Sequence, residues 1–155
     1  MDKKVAIFPG SFDPFTKGHA HIVEKALELF DEVIIYIAYN ITKKRMFDAH
    51  VVFETLKNRY NGNERVIIVM DEDLTVNVAN KYGAKFIVKG IRNTIDAEYE
   101  ISQAEANKWL GGLQTVLIPC DKEYAHISST LVRSLLMVFG ENSYKAHEKA
   151  QELMA

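Results

Sequence analysis

Short apolar runs rich in β-branched residues recur at residues 5–8, 33–38, 66–70, 86–88 and 115–118. Their composition predicts five strands. They are continuously apolar rather than alternating, as expected for a parallel sheet with both faces covered. Between them the spacing becomes helical. Ile22, Val23, Ala26, Leu27 and Phe30 form one stripe that excludes Glu24, Lys25 and Glu28, so an amphipathic helix follows the first strand. Val52, Phe53 and Leu56 predict a second helix, Val76, Ala79 and Asn80 a short third, and residues 101–110 a fourth. Leu131, Val132, Leu135 and Leu136 predict a fifth, opened by the N-cap chemistry of Ser128, Ser129 and Thr130, and a polar helix at 143–154 closes the chain. Strands alternating with helices imply an α/β fold: a Rossmann-like, doubly wound, five-stranded parallel sheet with helices on both faces. With 155 residues, 48% of them hydrophobic, and no repeat or linker, one domain over 1–155 is expected.

In such sheets ligands sit beyond the carboxyl ends of the strands, so the turns that follow them carry the chemistry. The first strand runs into Pro9, Gly10, Ser11, Phe12, Asp13, Pro14, Phe15, Thr16, Lys17, Gly18 and His19. This is neither a dinucleotide fingerprint nor a Walker loop, yet it suits an anion. Gly10 permits a sharp turn, Thr16 can cap the helix, and the free N–H groups of the first turn point at whatever lies above the strand. A lone histidine is more often a cap or packing residue. At the first helical turn, after a glycine-bearing loop, His19 is placed for phosphate chemistry. His21 faces another side of the helix, so no metal pair is read here.

The second strand ends before Lys43, Lys44 and Arg45. A solvated basic loop is the usual fate of such a run, but its place beside the anion site favours phosphate. After the fourth strand, Lys89 and Arg92 flank Gly90, and a guanidinium can grip two phosphate oxygens. Asp96 and Glu98 are expected as helix-start residues favoured by the dipole. The hydroxyls Ser128, Ser129 and Thr130 form a second anion cradle. The net charge of −2 disfavours nucleic acid and anionic membranes. The single cysteine, Cys120, and the short apolar stretch after Lys3 and Lys4 suit a cytoplasmic protein without a signal peptide. No run approaches the roughly 18 apolar residues of a membrane span.

The opening stretch resembles the G-[ST]-F-D-P-x-T-x-G-H signature of a nucleotidyltransferase superfamily, here carried by Thr16, Gly18 and His19. The segments Gly90-Ile91-Arg92-Asn93, Glu98-Tyr99-Glu100 and 127–133 (ISSTLVR) narrow the resemblance to bacterial phosphopantetheine adenylyltransferases. That resemblance implies transfer of AMP from ATP to 4′-phosphopantetheine, giving dephospho-coenzyme A and pyrophosphate, with Mg²⁺ and a homohexameric assembly. It places Ser11, Phe12, His19, Gly90, Ile91, Arg92, Glu100 and the run Tyr124, Ala125, His126, Ile127, Ser128, Ser129 and Thr130 on ATP. It places Ser11, Lys43, Thr75 and Lys89 on the acceptor, with His19, Lys43, Arg92 and Ser129 sharing the charge of the transition state. The chain departs from the family pattern in four places. Ser11 replaces threonine, Lys89 replaces arginine, the basic loop lacks its framing prolines, and Ala49 to Val52 stand where a Glu-Arg pair is usual. Other members of the superfamily, acting on glycerol phosphate, choline phosphate or nicotinamide mononucleotide, remain alternatives, as does a non-catalytic nucleotide-binding module.

Overall fold

The structure, a computed structural model, describes residues 2–155. Strands β1 (Val5–Gly10), β2 (Glu32–Ala38), β3 (Val66–Asp71), β4 (Phe86–Ile91) and β5 (Gln114–Pro119) form one sheet in the order β3-β2-β1-β4-β5. Every pairing is parallel. Helices α1 (Lys17–Leu29), α2 (Ala49–Arg59), α3 (Thr75–Lys81), α4 (Thr94–Gly111), α5 (Ser129–Leu136) and α6 (Ser143–Leu153) connect and close it. This is the doubly wound α/β arrangement that the alternation of elements predicts.

Side chains alternate across the sheet, so each central strand feeds two apolar layers. On one face Ala6, Phe8, Val33, Ile35 and Val88 pack with Ile22, Val23 and Ala26 of α1 and Val52 and Leu56 of α2. On the other, Val5, Ile7, Ile34, Tyr36 and Ile87 pack with Val76, Val78 and Ala79 of α3. Four of the predicted strands run further toward their carboxyl ends in the structure, β1 through Pro9 and Gly10, β3 to Asp71, β4 through Lys89 and Gly90 to Ile91 and β5 to Pro119, whereas β2 ends at Ala38 as predicted and gains only Glu32 at its start.

One interruption of that ladder makes the site. β1 pairs with β2 along its whole length, but with β4 only at Ala6 and Ile7. Val5 O accepts the amide of Lys85, so Val5, Ile7 and Pro9 present their backbone groups to the β4 edge. Pro9 has no N–H to give there. The strands therefore part beyond Ile7, at the point where chain connectivity reverses direction across the sheet, and a crevice opens between their ends. Gly90 lines it because nothing larger fits: a Cβ there would lie 2.7 Å from Cγ1 of Ile22 on α1.

Candidate active site

The crevice is a cleft of about 360 Å³ between the end of β1, the start of α1, the end of β4 and the start of α5. Thr16 caps α1: its hydroxyl accepts the amide of His19 at 3.3 Å, while its own amide donates to Nδ1 of His19 at 2.9 Å. This reciprocal capping box uses a histidine where glutamate is usual. It also sets the tautomer. A ring nitrogen that accepts an amide hydrogen carries none itself, so the proton of His19 sits on Nε2, which has no partner among the described residues.

The ring of His19 lies among Phe8, Phe12 and Phe15, with centroid distances of 6.1, 5.0 and 5.3 Å. Burial, reinforced by the charges of Lys89 and Arg92, holds its pKa down at about 3. His19 is therefore a neutral donor at physiological pH, not a cation. The positive charge of the cleft comes from Lys89 and Arg92, both of which line it. Each already has a partner on α4. Lys89 lies 3.5 Å from Glu100, and Asp96 accepts from Arg92 at its amide (3.0 Å), at Nε (2.9 Å) and at Nη2 (3.3 Å). Burial alone would raise the pKa of Asp96, but these bonds and the charge of Arg92 bring it below the usual carboxylate range. Asp96 is thus more than a dipole-favoured first-turn residue, the role its position in the sequence suggests, because it also orients a cleft guanidinium.

On the far wall, Ser128 caps α5 by accepting the amide of Leu131 at 3.0 Å. The hydroxyl of Ser129 donates to Pro14 O at 2.7 Å, so what Ser129 offers an anion is its backbone N–H at the positive end of α5. Tyr124 and Ile127 line the cleft beside them. Tyr124 stacks on the buried ring of His21 at 4.2 Å, and Asp121, held low in pKa by its bond from Lys25, caps the same cluster at 3.3 Å from Nε2 of His21. His21 thus supports a cleft aromatic.

The structure therefore gathers Ser11, Phe12, His19, Lys89, Gly90, Arg92, Glu100, Tyr124, Ile127, Ser128, Ser129 and Thr130 around one cleft. Ile91, Ala125 and His126 lie outside its lining. Thr75 lines a second cavity of about 370 Å³, shared with Ser11, Lys89 and Glu100 and bordered by Tyr99 and Asn107 of α4. Lys43 lines a third, where Lys44, Arg45 and Arg133 gather around Asp13 and Ser11. Ser11 is common to all three. Sequence reasoning passed over Asp13, Arg133 and His21 as site-builders; Asp13 sits inside the signature, and its exposure of only 8% in the structure is what marks it. Among the described residues no group of three His, Cys, Asp or Glu side chains is placed to hold a metal ion.

A parallel sheet split beside its first strand, with a neutral imidazole, two cations and two helix starts facing the gap, defines a nucleotidyltransferase, and the chain matches the cytidylyltransferase-like family over residues 7–135. Solved structures share the fold: nicotinic acid mononucleotide adenylyltransferase of Plasmodium falciparum superposes with a TM-score of 0.64 at 15% identity, covering 99% of this chain and 90% of its own. A phosphopantetheine adenylyltransferase of Cytophaga hutchinsonii is 43% identical over 141 residues, 90% of this chain and 94% of its own. One of Bacteroides thetaiotaomicron is 44% identical over 131 residues, 84% and 87% respectively. The chain belongs to the phosphopantetheine adenylyltransferase family.

Proposed function

We propose that the protein transfers AMP from ATP to 4′-phosphopantetheine, forming dephospho-coenzyme A and releasing pyrophosphate. The observation that carries this is the capped, neutral His19 at the head of α1, with its free Nε2–H beside a crevice that two cations and the α5 start also face. A phosphate monoester is already a nucleophile, so the site needs alignment and charge stabilisation rather than a general base. The acceptor phosphate attacks the α-phosphorus in line as the bond to pyrophosphate breaks. His19 donates to an oxygen of the reacting phosphate. Arg92 and the amides at the start of α5 take the departing phosphates, and Lys43 with Lys89 holds the acceptor.

The cavity that holds Thr75 opens from Ser11 along α4 and has the amide side chains Gln103 and Asn107 on its wall. This suits an extended acceptor arm bearing amides. Mg²⁺ fits as an ion that arrives on the triphosphate: the chain offers cations and amides to phosphate oxygens, and Mg²⁺ takes most of its ligands from phosphate and water in such sites. Bound there, it would neutralise leaving-group charge. Self-association is part of the proposal, since α4 buries none of its residues in the isolated chain. No helix among the described residues is long and apolar enough to cross a membrane, and a cytoplasmic location accords with the lone cysteine. The deciding experiment incubates the protein with ATP or CTP and with phosphopantetheine, glycerol phosphate or nicotinamide mononucleotide. Pyrophosphate and a product of dephospho-coenzyme A mass are expected from ATP and phosphopantetheine alone; faster turnover of another pair would overturn the assignment.

A further inference from the structure

The loop from Phe12 to Phe15 is held by donors from elsewhere in the chain. Phe12 O accepts Nη2 of Arg45 at 3.3 Å and Asp13 O accepts Nη1 of Arg133 at 2.7 Å. Pro14 O accepts the hydroxyl of Ser129 at 2.7 Å and Phe15 O the amide of Ala155 at 3.3 Å. Two of these donors are guanidiniums that also bond within their own element: Arg133 Nη2 donates to the hydroxyl of Thr130 on α5 at 3.2 Å, whereas Arg45 bridges to the loop that carries Lys43. The Nε of Arg45 donates to Phe47 O at 2.8 Å, so one planar group ties its own loop to the loop of the nucleotide site. The buried carboxylate of Asp13 completes the knot from the other side, accepting the amides of Met46 at 3.1 Å and Phe47 at 2.7 Å.

The tie ends on a residue whose backbone needs holding. Phe12 has φ 48, the one non-glycine residue in the left-handed region among the described residues. Such a conformation persists only where surroundings over-determine it. Phe12 is also buried, meets the ring of His19 edge-on at 5.0 Å, and follows Ser11, the residue common to all three cavities. We propose that Arg45 is a positioning residue for adenylyl transfer. It fixes Phe12, and through it Ser11 and His19, relative to the loop that carries Lys43, and it acts through the two carbonyls rather than through a phosphate. This rests on the reaction proposed above. The geometry is specific to arginine, because a lysine ammonium is a point donor and cannot span both carbonyls with a fixed fork.

The test compares wild type with Arg45→Lys, Arg45→Ala and Asp13→Asn in pyrophosphate release at low and high salt, alongside amide hydrogen exchange of residues 11–19 without ligands. Both Arg45 variants are expected to lose about tenfold to a hundredfold in kcat, with KM for ATP and acceptor moving less than about threefold and the loss independent of salt. Exchange in 11–19 accelerates in both. Asp13→Asn, which keeps shape but can no longer accept both amides, moves in the same direction and decides the matter should the Arg45 variants fail to fold. Wild-type kcat in Arg45→Lys, with acceptor KM alone raised in Arg45→Ala and sensitive to salt, would show a cation meeting phosphate directly and overturn the proposal. Unchanged exchange in 11–19 overturns it whether or not the wild type turns over. A silent wild type with accelerated exchange in the variants overturns the reaction assigned above and leaves the tie standing.

Discussion

His19 does not change its charge near neutral pH, and that settles what it can contribute. With its pKa held at about 3 against 6.5 for an ordinary imidazole, it supplies a hydrogen bond of constant polarity. The charge developing in the transition state then meets a donor already in place, which costs no reorganisation. His19→Ala is expected to fold and bind ATP in calorimetry, while kcat for pyrophosphate release falls about 10²- to 10³-fold. The same burial has a stability consequence whose sign is fixed by linkage. As pH falls below 6.5 the unfolded chain takes up the proton first and the folded one does not until about 3. The contribution of His19 to stability is therefore constant above 6.5 and is lost progressively across that window. Urea unfolding at pH 7.5 and pH 5 should show a smaller acid penalty in His19→Gln than in wild type; an equal penalty in both would place the lowered pKa elsewhere.

At the level of elements, the crevice depends on two strands parting and on one helix coming close. Gly90→Ala would put a methyl 2.7 Å from Cγ1 of Ile22. Pushing β4 off α1 should destabilise by about 1–3 kcal/mol, read as a lower midpoint in thermal or urea unfolding. Ile22→Ala in the same chain removes the colliding carbon, so the double variant is expected to lose less than the two single losses added together. These elements were largely legible in the sequence, since β-branched runs such as 33–38 and the α1 stripe report local periodicity. The split between β1 and β4 was not, although Pro9 carries its signal, because a missing N–H matters only once the neighbouring strand is known. The ties of the nucleotide loop were hidden for a related reason. Arg45 reaches Phe12 O across 33 positions and Arg133 reaches Asp13 O across 120, and no pattern of spacing reveals which carbonyl a guanidinium finds. Lys43, Lys44 and Arg45 read alike as a charge run; only burial and bonding separate the tie from its solvated neighbours.

For the molecule as a whole, α4 is the element the isolated chain leaves unfinished. Ile95, Tyr99, Ile101, Trp109 and Leu110 on it are all more than half exposed, apolar surface that contact with another chain would cover. Sedimentation of wild type is expected to give a mass several times 17.6 kDa, and Ile101→Asp should shift it toward a single chain; a monomeric wild type would remove self-association from the functional proposal. Because Tyr99, Asn107 and Leu110 of the same helix also border the second cavity, loss of assembly should raise KM for the acceptor more than KM for ATP. Trp109 is the single tryptophan of the chain and is 85% exposed on this helix, away from the nucleotide cleft. Should chains dock through α4 as proposed above, its intrinsic fluorescence is expected to be red-shifted and readily quenched by iodide in dilute protein, and blue-shifted and shielded at concentrations where subunits meet, with no label attached.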